Sequence, residues 1–414
     1  MTRRFPWRAA DLRGATRLAT EATAGLTDLV EALHARIGQW PGQAASPSGR
    51  TGGITGLVYA SIRGVTRVVG GSLDALLGAL SPLLAPADAG ATAAPGLPAA
   101  DPAERAALLA ALNGVLGDYL VATGNPLALQ MQLKHQGQAL SLAAQAGPPP
   151  WPQPAERLLV QVHGLCMHDG QWLRDGHEHG AALARSAGYT PLQVHYNTGL
   201  HISLNGRELS RQLQALMARW PAASAPRLAL LGHSMGGLVA RSAIHQAQLA
   251  GLTWVAQLDS LVTLGTPHLG APLERAGHGV DLLLGANPYT APLARLGRLR
   301  SAGITDLRHG HLLDEDWAGR DRFARRTQDR PWVPLPEGVR CFALATCLGD
   351  DVQDLKSRLM GDGLVPVDSA LGRQAEPAPS LAFPPEGQAV LPGVSHLGML
   401  GSTAVADQLQ RWLA

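Results

Sequence analysis

The chain is 414 residues long, 46% apolar and 16% charged, with a formal net charge of +2. Its length exceeds the roughly 250–300 residues at which a single core stops growing, so a large domain with a smaller appendage is expected. The apolar content excludes wholesale disorder, and the balance of 34 Lys+Arg against 32 Asp+Glu excludes the concentrated basic stripe of a nucleic-acid binder.

From Met1 to Leu18 the text is basic and broken by Arg and Asp. It lacks the continuous apolar run of about 7–15 residues that a signal peptide needs, and a cytoplasmic location is expected. Residues 1–150 read as a helical front with no alternating strand pattern. Leu12, Leu18, Leu26, Leu29, Val30 and Leu33 share one helical face, and Leu57, Val58, Ile62, Val65 and Val69 another. The apolar run from Ile54 to Leu84 could be mistaken for a membrane span. Arg63 and Arg67 cost about +2.5 to +3.5 kcal/mol each near its centre, against roughly −0.3 to −0.6 for each of about eight apolar side chains. The charges win, so a helix packed on protein, or lying peripherally on an anionic membrane surface, is expected. Asp101 as cap, Pro102 in the first turn and Glu104 three residues on predict a helix that runs to about Thr123 and stops at Gly124. Pro86 to Ala100 reads as a flexible connection, and Gly147 to Pro154 as a stiff linker marking a domain boundary.

Residues 151–414 change to short apolar runs alternating with helices, the pattern of a mostly parallel sheet covered on both faces. Strands are predicted at Leu158 to Val162, Leu192 to Tyr196, Leu228 to Leu231, Leu258 to Leu264 and Val339 to Thr346. Helices are predicted at Gly170 to Gly188, Glu208 to Trp220 and Gly237 to Leu249. The interruption at residues 271–337, with its Pro, Gly and many charges, is too long for a plain loop and predicts a cap or lid. Cys166, Cys341 and Cys347 show neither zinc spacing nor a disulfide framework and read as buried thiols.

Gly232-His233-Ser234-Met235-Gly236 matches G-x-S-x-G between an apolar strand and a helix-compatible stretch, where a sharp turn lifts a serine oxygen above the sheet edge. A serine hydroxyl is protonated at neutral pH and needs a base, and on such a fold the chain order is serine, acid, histidine. His396 is the only histidine after residue 362; His309 and His311 lie in the expected cap, and His268 comes too early. Asp362, flanked by Gly361 and Gly363 in a loop that can turn tightly, is the preferred acid, with Asp350 and Asp351 as competitors. The developing oxyanion needs two backbone donors: Met235 supplies one, and Leu165, in the loop that follows the strand ending at Val162-His163-Gly164, the other. His163 reads as a loop-positioning residue at the edge of the pocket. No HExxH, P-loop or dinucleotide fingerprint occurs, so neither metal nor cofactor is expected, and Asp314, Glu315 and Asp316 read as a solvated charged face.

The His163-Gly164 pair, Gly-His-Ser-Met-Gly-Gly237, Gly265-Thr-Pro-His-Leu-Gly-Ala-Pro272, Asp362-Gly-Leu-Val-Pro366 and the late His396-Leu-Gly together resemble bacterial lipases. They are also similar to the inositol deacylases of glycosylphosphatidylinositol anchors. The resemblance covers about residues 157 to 414 and implies an α/β-hydrolase fold acting on acyl esters, with Ser234, Asp362 and His396 in the catalytic positions. It also implies that His268 borders the substrate pocket. The expected molecule is therefore an α/β-hydrolase with a helical front and a cap insertion, cleaving a small-molecule or lipid ester. Leu282 to Leu284, Trp317 and Trp332 in the cap point to a hydrophobic acyl group. An acyltransferase using the same residues is the alternative within enzymes. A membrane-surface or scaffold protein with a relic hydrolase domain is the alternative outside them.

Overall fold

The computed structural model describes residues 8–37, 60–68, 71, 72, 74, 103–142, 156–219, 225–271, 301–320, 331–351, 355–374 and 379–414. The expected linkers at Pro86 to Ala100 and Gly147 to Pro154, the Asp101-Pro102 cap, Leu57, Val58, Val69 and Leu282 to Leu284 lie outside them. The chain divides into two compact units, Met1–Gly96 with Leu120–Ala128 and Leu97–Tyr119 with Leu129–Ala414.

In the first unit, helix α1 spans Ala9–Ile37 and begins where Asp11 accepts the Arg8 amide at 2.8 Å. Helix α2 occupies residues 60–68. Arg13 and Arg17 both grip Asp74, at 3.2 and 2.8 Å, and the Arg17 hydrogen bond leads in holding that carboxyl down at about 2. Contrary to the apolar-face reading, α2 buries Arg63 and leaves Ile62, Val65 and Val68 exposed. Helix α3, Ala103–Ala122, belongs to the second unit as far as Tyr119 and ends before Gly124, whose φ of +61° is the left-handed stop expected of that glycine. Alone among the described helices α3 is long and apolar enough to cross a membrane, but most of it is buried in protein.

The second unit holds an eight-stranded sheet of order β2-β1-β4-β3-β5-β6-β7-β8. These strands are β1 Gln132–His135, β2 Gln138–Ala139, β3 Arg157–Val162, β4 Thr190–His195, β5 Arg227–His233, β6 Leu258–Leu264, β7 Arg340–Cys347 and β8 Gln388–Pro392. The run from β4 to β8 is parallel throughout, and the β1–β2 hairpin adds antiparallel strands at one edge. That hairpin corrects two expectations: strands do occur before residue 150, and the structure does not divide at that residue. Its signal is the period-2 text Leu129-Gln-Met-Gln-Leu133-Lys, closed by Gln136 and Gly137, both at positive φ as a two-residue hairpin turn requires.

The longer described helices of this unit beside the sheet include α4 His179–Ala187, α5 Ile202–Met217, α6 Met235–Leu249 and, after β8, the C-terminal helix Thr403–Leu413. Helices α5 and α6 pack on one another, and α4 packs on the C-terminal helix. Strand alternation sends Leu159, Leu231, Val262, Leu264, Phe342 and Leu344 into one core with Leu183, Leu409 and Trp412. The helix expected from Gly170 is split, because Asp175 and Gly176, both at positive φ, turn the chain between a short 3-10 turn and α4. Helix α5 starts earlier than expected, running through Asn205-Gly206; a Cβ on Gly206 would stand 2.4 Å from Ser242 Oγ, so close packing on α6 decides there over turn propensity.

Of the expected cap, residues 301–320 are fastened to the body of this unit. Ser301 Oγ donates to Gly114 O of α3, Gly303 N to Gly199 O, and Asp306 accepts from His201 and the Ile202 amide. Trp317 stacks on His201 at 3.8 Å and donates to Ser203, so it is spent on packing. All three cysteines are buried free thiols.

Candidate active site

In an open parallel sheet a ligand sits beyond the carboxyl ends of the strands, where the connections reverse direction. Here β3 runs to β4 on one side and the chain returns to β5 on the other, and Ser234 closes β5. Ser234 has φ 54° and ψ −124°, a conformation that costs an L-residue about 1–3 kcal/mol and persists only where surroundings enforce it. The enforcement is visible. The Ser234 amide donates to Leu264 O at 2.8 Å, a Cβ on Gly232 would stand 2.4 Å from Gly237 Cα, and one on Gly236 1.9 Å from Val162 O. Helix α6 starts at Met235, so its N-terminal amides and positive dipole end face the space above Ser234.

His396 and Asp362 meet in the next two connections, after β8 and β7. Nδ1 of His396 lies 2.7 Å from Asp362 Oδ2, with both side chains almost wholly enclosed. The other carboxylate oxygen accepts from the amides of Leu364 and Val365 at 2.9 and 2.8 Å, which locks the Asp362 rotamer. Gly265, at φ +54°, leaves the room: a Cβ there would come within 3.0 Å of Asp362 Oδ2 and 3.2 Å of His396 Nδ1. A carboxylate accepts only, so Nδ1 carries the imidazole proton and Nε2 the lone pair. Nε2 is buried without a hydrogen-bond partner among the described residues, and no bond to Ser234 forms in this structure. Such contacts commonly tighten only when substrate binds.

Leu165 follows Gly164 in the loop after β3. A peptide is planar, so fixing the Gly164 carbonyl fixes the Leu165 N–H on its opposite edge. That carbonyl accepts from His163 Nδ1 at 3.0 Å and from the Met167 amide at 3.3 Å. On either side, the Tyr196 hydroxyl donates to His163 O at 2.7 Å, and Thr198 Oγ1 accepts from the Cys166 amide at 3.1 Å. Cys166 itself sits at φ 58°, and burial pushes its thiol up to about 12, so it is held as a neutral packing group. His163 is wholly buried and stacked on Tyr196, and burial lowers it to about 3, which keeps the ring a neutral donor.

The structure does not bring the His268 ring to this pair. His268 is buried with Nδ1 3.3 Å from Arg241 and Nε2 3.3 Å from Thr263, and burial lowers its pKa far below the usual range. It lines a small cavity with Arg241, Leu312, Asp316, Trp332 and Val333. Of the candidate acids, Asp362 is the one that meets His396 Nδ1. Tyr196 and Thr198 were missed by sequence reasoning; the polar run Asn197-Thr-Gly199 closing a buried strand was their signal. A separate open cleft, lined by Leu335, Val339, Arg340, Arg411 and Trp412, lies at the N-terminal end of β7 and not at the site. No group of three or more potential metal ligands occurs among the described residues.

Residues 189–334 match the family described as the PGAP1-like alpha/beta domain. No curated protein sequence matches the chain. Among solved structures, the mature lipase BlEst2 of Bacillus licheniformis is 18% identical with a TM-score of 0.40, over 65% of this chain and 96% of that one. Phospholipase PlaB of Legionella pneumophila, solved with thio-NAD, is 19% identical with a TM-score of 0.39 over 62% of this chain, which spans only 58% of that protein. The RedJ thioesterase of the prodiginine pathway in Streptomyces coelicolor is 17% identical with a TM-score of 0.34, over 66% and 96%. Sheet order and serine elbow, with the family match over residues 189–334, give the second unit an α/β-hydrolase fold.

Proposed function

We propose that the protein hydrolyses carboxylic esters with hydrophobic or lipid-like acyl groups through Ser234, His396 and Asp362. The observation that carries this reading is the 2.7 Å Asp362–His396 pair, which leaves the lone pair on Nε2, an atom with no hydrogen-bond partner among the described residues. Nε2 takes the Ser234 Oγ proton as Oγ attacks the ester carbonyl, and the Leu165 and Met235 amides receive the negative oxygen. One such donor is worth about 2.7–4 kcal/mol in the transition state. The imidazolium, stabilised by Asp362, returns its proton to the departing alcohol. Water then attacks the acyl-enzyme with His396 again as base, releasing the acid and free Ser234.

The test combines stoichiometric labelling by an organophosphonate, mapped by peptide mass, with turnover of nitrophenyl esters across acyl lengths. Modification of Ser234 with loss of turnover is expected, and full turnover with Ser234 unmodified rejects the reading. Acyl transfer to an alcohol in place of water is a second outcome of the same acyl-enzyme. Product analysis with an added alcohol separates the two. Peripheral membrane contact through α2 is supported by its exposed Ile62, Val65 and Val68, and co-sedimentation of the full chain with anionic liposomes checks it.

A further inference from the structure

We infer that His233, the residue before the nucleophile, is a positioning residue that holds the catalytic histidine through its backbone carbonyl. The inference rests on the reading of His396 as the base. His233 is wholly buried, and its Nε2 lies 3.1 Å from His396 O. A carbonyl only accepts, so Nε2 carries the proton and Nδ1 is the bare nitrogen. Nδ1 has no hydrogen-bond partner among the described residues and faces the oxyanion loop, where a Cβ on Gly164 would stand 3.3 Å away. The ring lies 4.8 Å from the His396 ring.

His396 is thereby held at three points. Its amide donates to Asp362 O at 3.0 Å, its carbonyl accepts from His233, and its Nδ1 meets Asp362 Oδ2. Two of these holds come from the acid loop, beside it in the sheet. The third crosses from β5 to the connection after β8, past β6 and β7, and is the one that ties the base to the nucleophile's own turn. Without it a buried carbonyl loses its donor and the peptide after His396 is freed to rotate, carrying Nε2 away from Ser234 Oγ. A second imidazole, His179, donates to Met399 O at 2.9 Å further along the same loop, but it holds neither end of His396.

The chemistry selects an imidazole at position 233. The group must donate from the ε position, and it must stay neutral, because His396 becomes a cation in every cycle and a second cation beside it would oppose that step. Burial first, and the neighbouring His396 next, keep the His233 pKa well below the ordinary value. Phe has the ring without the donor, Lys brings a charge, and Gln offers an uncharged N–H at the same reach.

The test uses the full chain with His233→Phe and His233→Gln, nitrophenyl ester kinetics, thermal melting, and nitrogen-15 NMR of the wild-type imidazoles. His233→Phe is expected to lower kcat about 10- to 100-fold with KM little changed, as a misplaced base does, and His233→Gln to stay within about threefold of wild type. A folded His233→Phe with wild-type kcat, or a folded His233→Gln as impaired as the Phe variant, overturns the inference. If the Phe variant does not fold, the Gln variant and the tautomer decide: a proton on Nε2 supports the inference, and one on Nδ1 overturns it. A wild type without Ser234-dependent turnover rejects the esterase reading instead, and the tautomer still decides the His233–His396 contact.

Discussion

The two ends of the parallel sheet are built from different chemistry. At the carboxyl ends the polar groups are buried: His163, His233, Ser234, Thr266, Asp362 and His396 are all almost wholly enclosed. At the amino ends the polar groups are arginines that serve helix termini. Arg157 donates to Ala187 O at the end of α4 and to Leu413 O in the C-terminal helix, at 3.0 and 3.1 Å, and lies 4.6 Å over the Tyr189 ring. Arg340 donates to Trp412 O at 3.1 Å. Unsatisfied carbonyls and the negative dipole end explain why cations belong there. One sheet thus separates two tasks, with strain and desolvated imidazoles at one end and satisfied helix ends at the other.

Substitutions can break that division, and the largest effect belongs to the nucleophile. Ser234→Ala should lose about six orders of magnitude in kcat, with a melting temperature near wild type, since the residue's strain helps no packing. Asp362→Asn should lose about four orders, because the amide favours the wrong imidazole tautomer; a pH-rate profile and melting curve on the same sample check that the loss is catalytic.

Acid should attack the carboxyl end first. Burial lowers His163 to about 3 and His179 to about 4, and lowers His233 and His268 far below their ordinary value. The unfolded chain protonates these residues near pH 6.5 while the folded chain does not, so the unfolded state binds more protons and stability falls as pH drops below that point. Each depressed histidine adds up to about 1.4 kcal/mol per pH unit to the slope until its folded pKa is reached. Denaturant midpoints that stay level from pH 7 to pH 5 would contradict this. The smallest effect belongs to the amino end: Arg157→Ala should cost about 1–3 kcal/mol in urea unfolding and leave kcat unchanged.

The carboxyl end was the more legible of the two in the sequence, for a physical reason. Strands buried on both faces read as apolar runs, and the tight turns after them demand glycines at fixed places, so Gly232 and Gly236 announce the elbow. What holds those loops is not periodic. The Tyr196 hydroxyl reaches His163 and the His233 ring reaches His396 only because the sheet brings β3 beside β4, and the β5 turn near the loop after β8. The front was misread in the opposite way. Helical text with Ala and Gly dominated residues 1–150, and the short Gln132–His135 strand was lost in it. Arg63, weighed in the sequence as a charge against membrane insertion, is buried, while Ile62, Val65 and Val68 are exposed.

The edge hairpin has a practical consequence for anyone shortening the chain. Leu133 pairs with Val194, and Gly114 of α3 lies against Cys166, where a Cβ would come within 2.2 Å of the sulfur. A fragment beginning at residue 151 would therefore strip the cover from β4 and present its row of bare amides and carbonyls to any passing strand. Such a fragment should self-associate, whereas one beginning before α3 should remain monodisperse by light scattering.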